Sequence, residues 1–162
     1  MKILTINNKK EEKVLRTRVG DFDFGRVGEK KIGEIIKKMK EVMLGANGLG
    51  LSANQVGLSA RLFVALIPDE ENNTGKFYAI FNPEITKFSK KKSVMEEGCL
   101  SVPGVYGSVE RPEKIALSGQ DENGKKIKIQ IGGLAARVFQ HETDHLNGIL
   151  FIDKAAKIHL AA

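Results

Sequence analysis

The sequence predicts an α+β fold in which small antiparallel sheets pack around a C-terminal helix carrying a His-Glu-x-x-His motif, with a further helix toward the N-terminus. Three observations predict it. Between Glu29 and Leu44 the apolar residues Ile32, Ile35, Ile36, Met39, Val42 and Met43 recur at helical spacing, with lysines on the opposite face. Two β-rich runs, Ile115 to Gln120 and Lys125 to Ile131, flank Asp121-Glu122-Asn123-Gly124, where Asn-Gly favours a tight hairpin turn. After all the strands, Leu134, Val138, His141 and His145 form one inward helical stripe, and this segregation of strands from the last helix is the α+β pattern.

Taken in order, Met1 to Ile6 reads as a short strand or extended arm, and the charged segment Asn7 to Arg18 as loop. The helix over 29–44 stops at Gly45-Ala46-Asn47-Gly48, because glycine and asparagine tolerate the left-handed backbone that ends helices. Gly48 to Gly57 is rich in small residues, which let a ligand approach the backbone closely. Gly48 and Gly50 lack the third glycine at the expected place, and the preceding strand, of a dinucleotide fingerprint. Short β-rich runs at Arg61 to Ile67, Phe77 to Asn82 and Ile85 to Phe88, with the polar loop Asp69 to Gly75 among them, predict an antiparallel sheet. Glu96 to Gly104 reads as a sharply turning, glycine-flanked segment around Cys99. Gly132-Gly133 then frees the backbone, Leu134 to Asn147 forms the last helix, and Gly148 ends it. There are no repeats.

A chain of 162 residues that is 41% hydrophobic fits one soluble domain spanning 1–162. The N-terminus has no long apolar run, so it reads as neither a secretory signal nor a membrane span. Cys99 is the only cysteine, which excludes an intramolecular disulfide and fits a reducing, cytoplasmic compartment. The net charge of +6 is spread over lysine doublets and one short run at Lys90 to Lys92. With no basic stripe interleaved with aromatics, this predicts solvated faces and no specific nucleic-acid partner.

The chemistry concentrates in Gln140-His141-Glu142-Thr143-Asp144-His145. Residues four apart share one face of a helix, so His141 and His145 can aim two imidazoles at one metal ion. Glu142 is then held beside that ion as a general base for water. Cys99, placed by a glycine-flanked turn, supplies a third ligand and leaves a position open, which is the pattern of a catalytic rather than a structural site. A thiolate with two imidazoles suits zinc and also admits ferrous iron, nickel or cobalt.

Three segments together resemble the peptide deformylase family: Gly48-Leu49-Gly50-Leu51-Ser52-Ala53-Asn54-Gln55, then Glu97-Gly98-Cys99-Leu100-Ser101, then Gln140 to His145. They occur in the family's order, and the second separates this chain from zinc peptidases, whose third ligand is usually a downstream histidine or glutamate. The resemblance implies removal of the formyl group from N-formylmethionine of new polypeptides, with one divalent metal, ferrous iron in the cell, held by Cys99, His141 and His145. It implies Glu142 as the base, with the Gln55 amide and the Leu100 N–H as oxyanion donors. It implies a methionine pocket walled by Leu49, Gly50, Met95, Glu97, Gly98, Leu134 and Val138, with Tyr106 and Arg137 near the mouth. Glu97 and Arg111 would form a pair with Asp144 that steadies the ligands. Three features depart from the family. Ser52 stands where alanine is usual, a tolerated hydroxyl. Asn7 to Arg18 lacks the usual proline-containing stretch. The short tail after Asp153 lacks the longer extension that some members dock on the ribosome, so the ribosome is expected to be at most a transient partner; a monomer is expected as well.

Overall fold

A computed structural model describes residues 1–161 of the chain. Helix α1 spans Lys9–Leu15, α2 Glu29–Gly45 and α3 Gly133–Leu146. The strands are β1 (Gly50–Ser52), β2 (Leu62–Asp69), β3 (Thr74–Phe88), β4 (Lys92–Cys99), β5 (Val102–Pro112), β6 (Lys114–Gln120), β7 (Lys126–Gly132) and β8 (Lys157–Leu160). They form a five-stranded sheet in the order β1-β2-β3-β6-β7 and a three-stranded sheet in the order β4-β5-β8, and every pairing is antiparallel.

The five-stranded sheet is covered on both faces, which explains why β2 reads as the nearly unbroken apolar run Leu62 to Ile67. Leu62 and Val64 point toward α2, where they pack with Ile32, Ile36, Met39, Met43 and Phe81. Phe63 and Ala65 point the other way, toward Ala136, Val138, Phe139 and Leu146 of α3. Alternate residues of a strand face opposite sides, so this one strand joins two cores. The Phe63 and Phe139 rings lie 5.3 Å apart between centroids, and both are fully buried. Burial of each such side chain contributes about 1.5–3 kcal/mol. A third core of Leu15, Val102, Val109, Leu150 and Phe151 seats the smaller sheet on the rest of the molecule.

The structure departs from the sequence expectations at three places. Asn7 to Arg18 holds α1, started by Asn8, whose side chain accepts from the Lys10 and Glu11 N–H groups. Only Leu15 of that helix is buried, so the sequence carried no apolar stripe to reveal it. The runs 77–82 and 85–88 are one strand, β3, with a register shift between Ile85 and Lys87 and another between Phe81 and Glu84, beside Asn82, which has φ 48° and whose side chain clasps the Phe22 backbone. Glu96 to Gly104 lies mostly within the paired strands β4 and β5, the turn being confined to Leu100-Ser101 between them. Beyond these, the tail after Asp153 contributes β8 to the edge of β5.

Met1 to Ile6 is an extended arm. The Leu4 N–H donates to the Gln55 carbonyl at 2.7 Å and the Ile6 N–H to the Ser101 carbonyl at 3.0 Å, so the arm ties together two of the three motif segments. Among the described residues no helix is long and apolar enough to cross a membrane.

Candidate metal centre

Helix α3 presents His141 and His145 one turn apart, and their Nε2 atoms lie 3.2 Å from each other. Strand β4 ends at Cys99, where a register irregularity after Gly98 swings the chain toward the helix and brings Sγ within 3.2 Å of His145 Nε2. The three donor atoms all fall within 4.8 Å of one another. Ligands at bond lengths of about 2.0–2.3 Å in a tetrahedral site stand roughly 3.3–3.6 Å apart, so the two 3.2 Å separations at His145 already come close to the spacing a single ion needs. Sulfur and imidazole are also the donors such an ion takes.

What surrounds the donors fixes their directions. His141 Nδ1 lies 2.8 Å from Glu97 Oε1, so Nδ1 donates to the carboxylate and Nε2 is the nitrogen that faces the cluster. Glu97 also accepts from Arg111 at 2.6 and 2.9 Å and from Arg137 at 2.7 Å. Arg111 reaches on to Asp144 at 2.8 Å, and Asp144 accepts from Lys154 as well. The anticipated association of Glu97, Arg111 and Asp144 is therefore present; its Glu97–Arg111 pair is buried, and Asp144 carries it toward the surface. Burial pushes the Glu97 carboxyl up, but the His141 and Arg111 bonds outweigh it and hold the group well below the usual carboxylate range. For Arg111, burial favours the neutral form and is overcome by Glu97 and then Asp144, leaving the guanidinium more firmly charged.

Without a metal ion, burial raises the Cys99 thiol, while the neighbouring histidines, His145 foremost, bring it well below its ordinary value. The Ser101 N–H points at the same sulfur from 3.4 Å. Burial likewise opposes charge on His141, yet Cys99 and Glu97 lift it to about 10. The cluster thus favours a thiolate, the form that binds a cation.

Gln55 and Glu142 complete the site. Gln55 sits in a short 3-10 turn, Ala53–Val56, with its Oε1 accepting the Ser52 N–H at 2.9 Å. That bond turns Nε2 toward Ser101 Oγ at 3.0 Å and Cys99 Sγ at 3.6 Å. Glu142 is 4% exposed, and its carboxyl is raised, first by burial. A Cβ on Gly50 would collide with the Glu142 carboxylate, so only glycine leaves it room there.

A pocket of about 680 Å³ opens over these groups. Leu49, Gly50, Met95, Glu97, Gly98, Leu100, Tyr106, Leu134, Arg137 and Val138 all line it, together with Gln55, Cys99, His141 and Glu142. Leu49, Met95, Tyr106 and Leu134 keep exposed apolar surface toward it. Arg137 is buried instead, with its guanidinium spent on Glu97 and on the Ser93 and Val109 carbonyls. The sequence reading missed Ser101, which supports both Gln55 and Cys99, and Pro103 and Gly104, which add to the lining. All three adjoin the cysteine motif, and that proximity was the one signal available for them.

The sequence matches the family described as polypeptide deformylase over residues 1–160. The chain belongs to the polypeptide deformylase family. The peptide deformylase of Prochlorococcus marinus is 47% identical over 127 residues, covering 78% of this chain and 62% of that protein. Chloroplastic peptide deformylase 1B of Oryza sativa is 42% identical over 137 residues, covering 85% of this chain and 48% of that one. The chain therefore spans less than two thirds of the length of these deformylases. The crystal structure of a probable peptide deformylase from Synechococcus phage S-SSM7 superposes with a TM-score of 0.84 at 40% identity, over 95% of this chain and 99% of the phage protein.

Proposed function

We propose that this deformylase-family chain is a metal-dependent hydrolase that removes the formyl group from N-formylmethionine of newly made polypeptides and releases formate. One observation carries the reading: a thiolate, two imidazoles, a buried carboxylate and a fixed carboxamide converge on the floor of one largely apolar pocket. Cys99, His141 and His145 hold the ion, and Leu49, Met95, Leu134 and Val138 receive the methionine side chain. The divalent ion, ferrous iron in the cell, supplies Lewis acidity that polarises a carbonyl and acidifies water.

The chain's own groups perform the proton and charge handling. Glu142 takes a proton from the attacking water on its carboxylate and passes it to the departing amine. Gln55 Nε2 and the Leu100 N–H donate to the oxyanion that forms when the formyl carbon becomes tetrahedral, and because Gln55 is already clamped by Ser52 it needs no reorganisation. Glu97 keeps His141 in the tautomer that offers Nε2. We infer further that the chain acts in a reducing, cytoplasmic-type compartment, a reading that its single cysteine supports, and that it works as a monomer on nascent chains.

The test is formate release from a short formyl-Met peptide by protein purified without oxygen and reconstituted with ferrous iron, nickel or zinc, beside a chelated control. Metal-dependent release, greatest with ferrous iron, is expected. Folded, metal-loaded protein that releases no formate would overturn the reading.

A further inference from the structure

The Ser52 hydroxyl does more than fit. Its Oγ donates to Glu142 Oε2 at 2.6 Å, within the range of a bond assisted by the acceptor's charge. The same Oγ lies 3.2 Å from the Glu142 main-chain carbonyl, so a single hydroxyl touches both ends of one residue. Contact with both ends defines the side-chain torsions between them. Ser52 is itself fully buried and closes β1, so its position is set by the pairing of Ser52 with Phe63 in β2.

Gly50 lies two residues earlier in β1, hence on the same face. There a Cβ would run into the Glu142 carboxylate, and its absence leaves a space that the carboxylate occupies. Strand β1 therefore shapes the carboxylate twice, by a void at Gly50 and a donor at Ser52. Oε2 is held against the serine, and Oε1 faces Gly50, a residue of the pocket lining.

We propose that Ser52 is a positioning residue that locks the Glu142 carboxylate into the rotamer facing the pocket. The proposal rests on Glu142 being the proton acceptor of the proposed reaction. Ser52 touches neither the pocket nor the cluster of donor atoms, and the hydrogen bonds of its hydroxyl both go to Glu142. The same residue steadies Gln55 with its backbone N–H, a contact that substitution of the side chain leaves in place.

The experiment compares the parent, Ser52→Ala, Glu142→Gln and the double variant, each loaded with the same metal, for formate release, metal content and thermal melting. In Ser52→Ala, kcat is expected to fall about tenfold, the size of a lost hydrogen bond to a charged group. KM, metal content and melting temperature are expected to stay near the parent values. In the Glu142→Gln background the serine substitution is expected to add no further loss, because the group it positions is gone. A kcat within twofold of the parent, a fall that tracks lost metal or lower melting, or an equal fall in the double variant would each overturn the proposal. An inactive parent would instead remove the reaction on which it rests.

Discussion

Glu97 shows how much one side chain can organise. It is 7% exposed and binds two guanidinium groups and a histidine ring, so its loss would be felt both at the cluster and in the fold. Glu97→Gln keeps the shape and removes the charge. It is expected to weaken metal binding by about 10- to 100-fold, read by competition with a chelator. Glu97→Ala would in addition leave Arg111 and Arg137 short of a buried partner, a change that costs about 3–5 kcal/mol in comparable buried pairs. The companion variant is Glu142→Gln. It retains a side chain of the same size, so full metal content with formate release reduced by orders of magnitude is expected, and near-parental turnover would remove Glu142 as the base.

Among the elements, α3 bears two duties at once. One side of it carries His141 and His145, and another packs Ala136, Phe139 and Leu146 into the core beneath the larger sheet. Phe139→Ala is expected to lower unfolding free energy by about 3–5 kcal/mol in urea titration, with a matching loss of metal retention as the helix loosens. The sequence made α3, α2 and the β6–β7 hairpin legible because each has a strong period of its own. It concealed α1, whose seven residues bury one leucine, and the pair β4 and β5, whose apolar residues are sparse. For α1 a local cue existed, since Asn8 followed by acidic residues at Glu11 and Glu12 is a helix-start signal. The convergence of Cys99, His141 and His145 beside Glu142 was legible from motif spacing, whereas the contacts of Ser52, Ser101 and Arg137 depend on segments brought together from distant parts of the chain.

At the scale of the whole molecule, the N-terminal arm ties the segments bearing Gln55 and Ser101, and Glu11 holds the arm. The Glu11 carboxylate accepts from Lys2 Nζ at 2.7 Å and from the Thr5 N–H at 2.8 Å, and these two bonds, Lys2 first, lower its pKa from the ordinary 4.5. A depressed folded value means that the contribution is present above the unfolded pKa and lost as pH falls through the folded one. Glu11→Gln is therefore expected to melt below the parent at neutral pH, with the gap closing as pH drops beneath 4.5. A gap that stays constant into acid would show that the carboxylate does not fasten the arm.

The chain's single thiol is also the sulfur of the central cluster, and this makes the protein its own occupancy gauge. A chromogenic disulfide reagent has one place to react. Protein stripped by a chelator is expected to yield one equivalent of colour per chain, and metal-loaded protein to respond far more slowly, so the fraction of filled sites in any preparation can be read from a colour change before an assay is run.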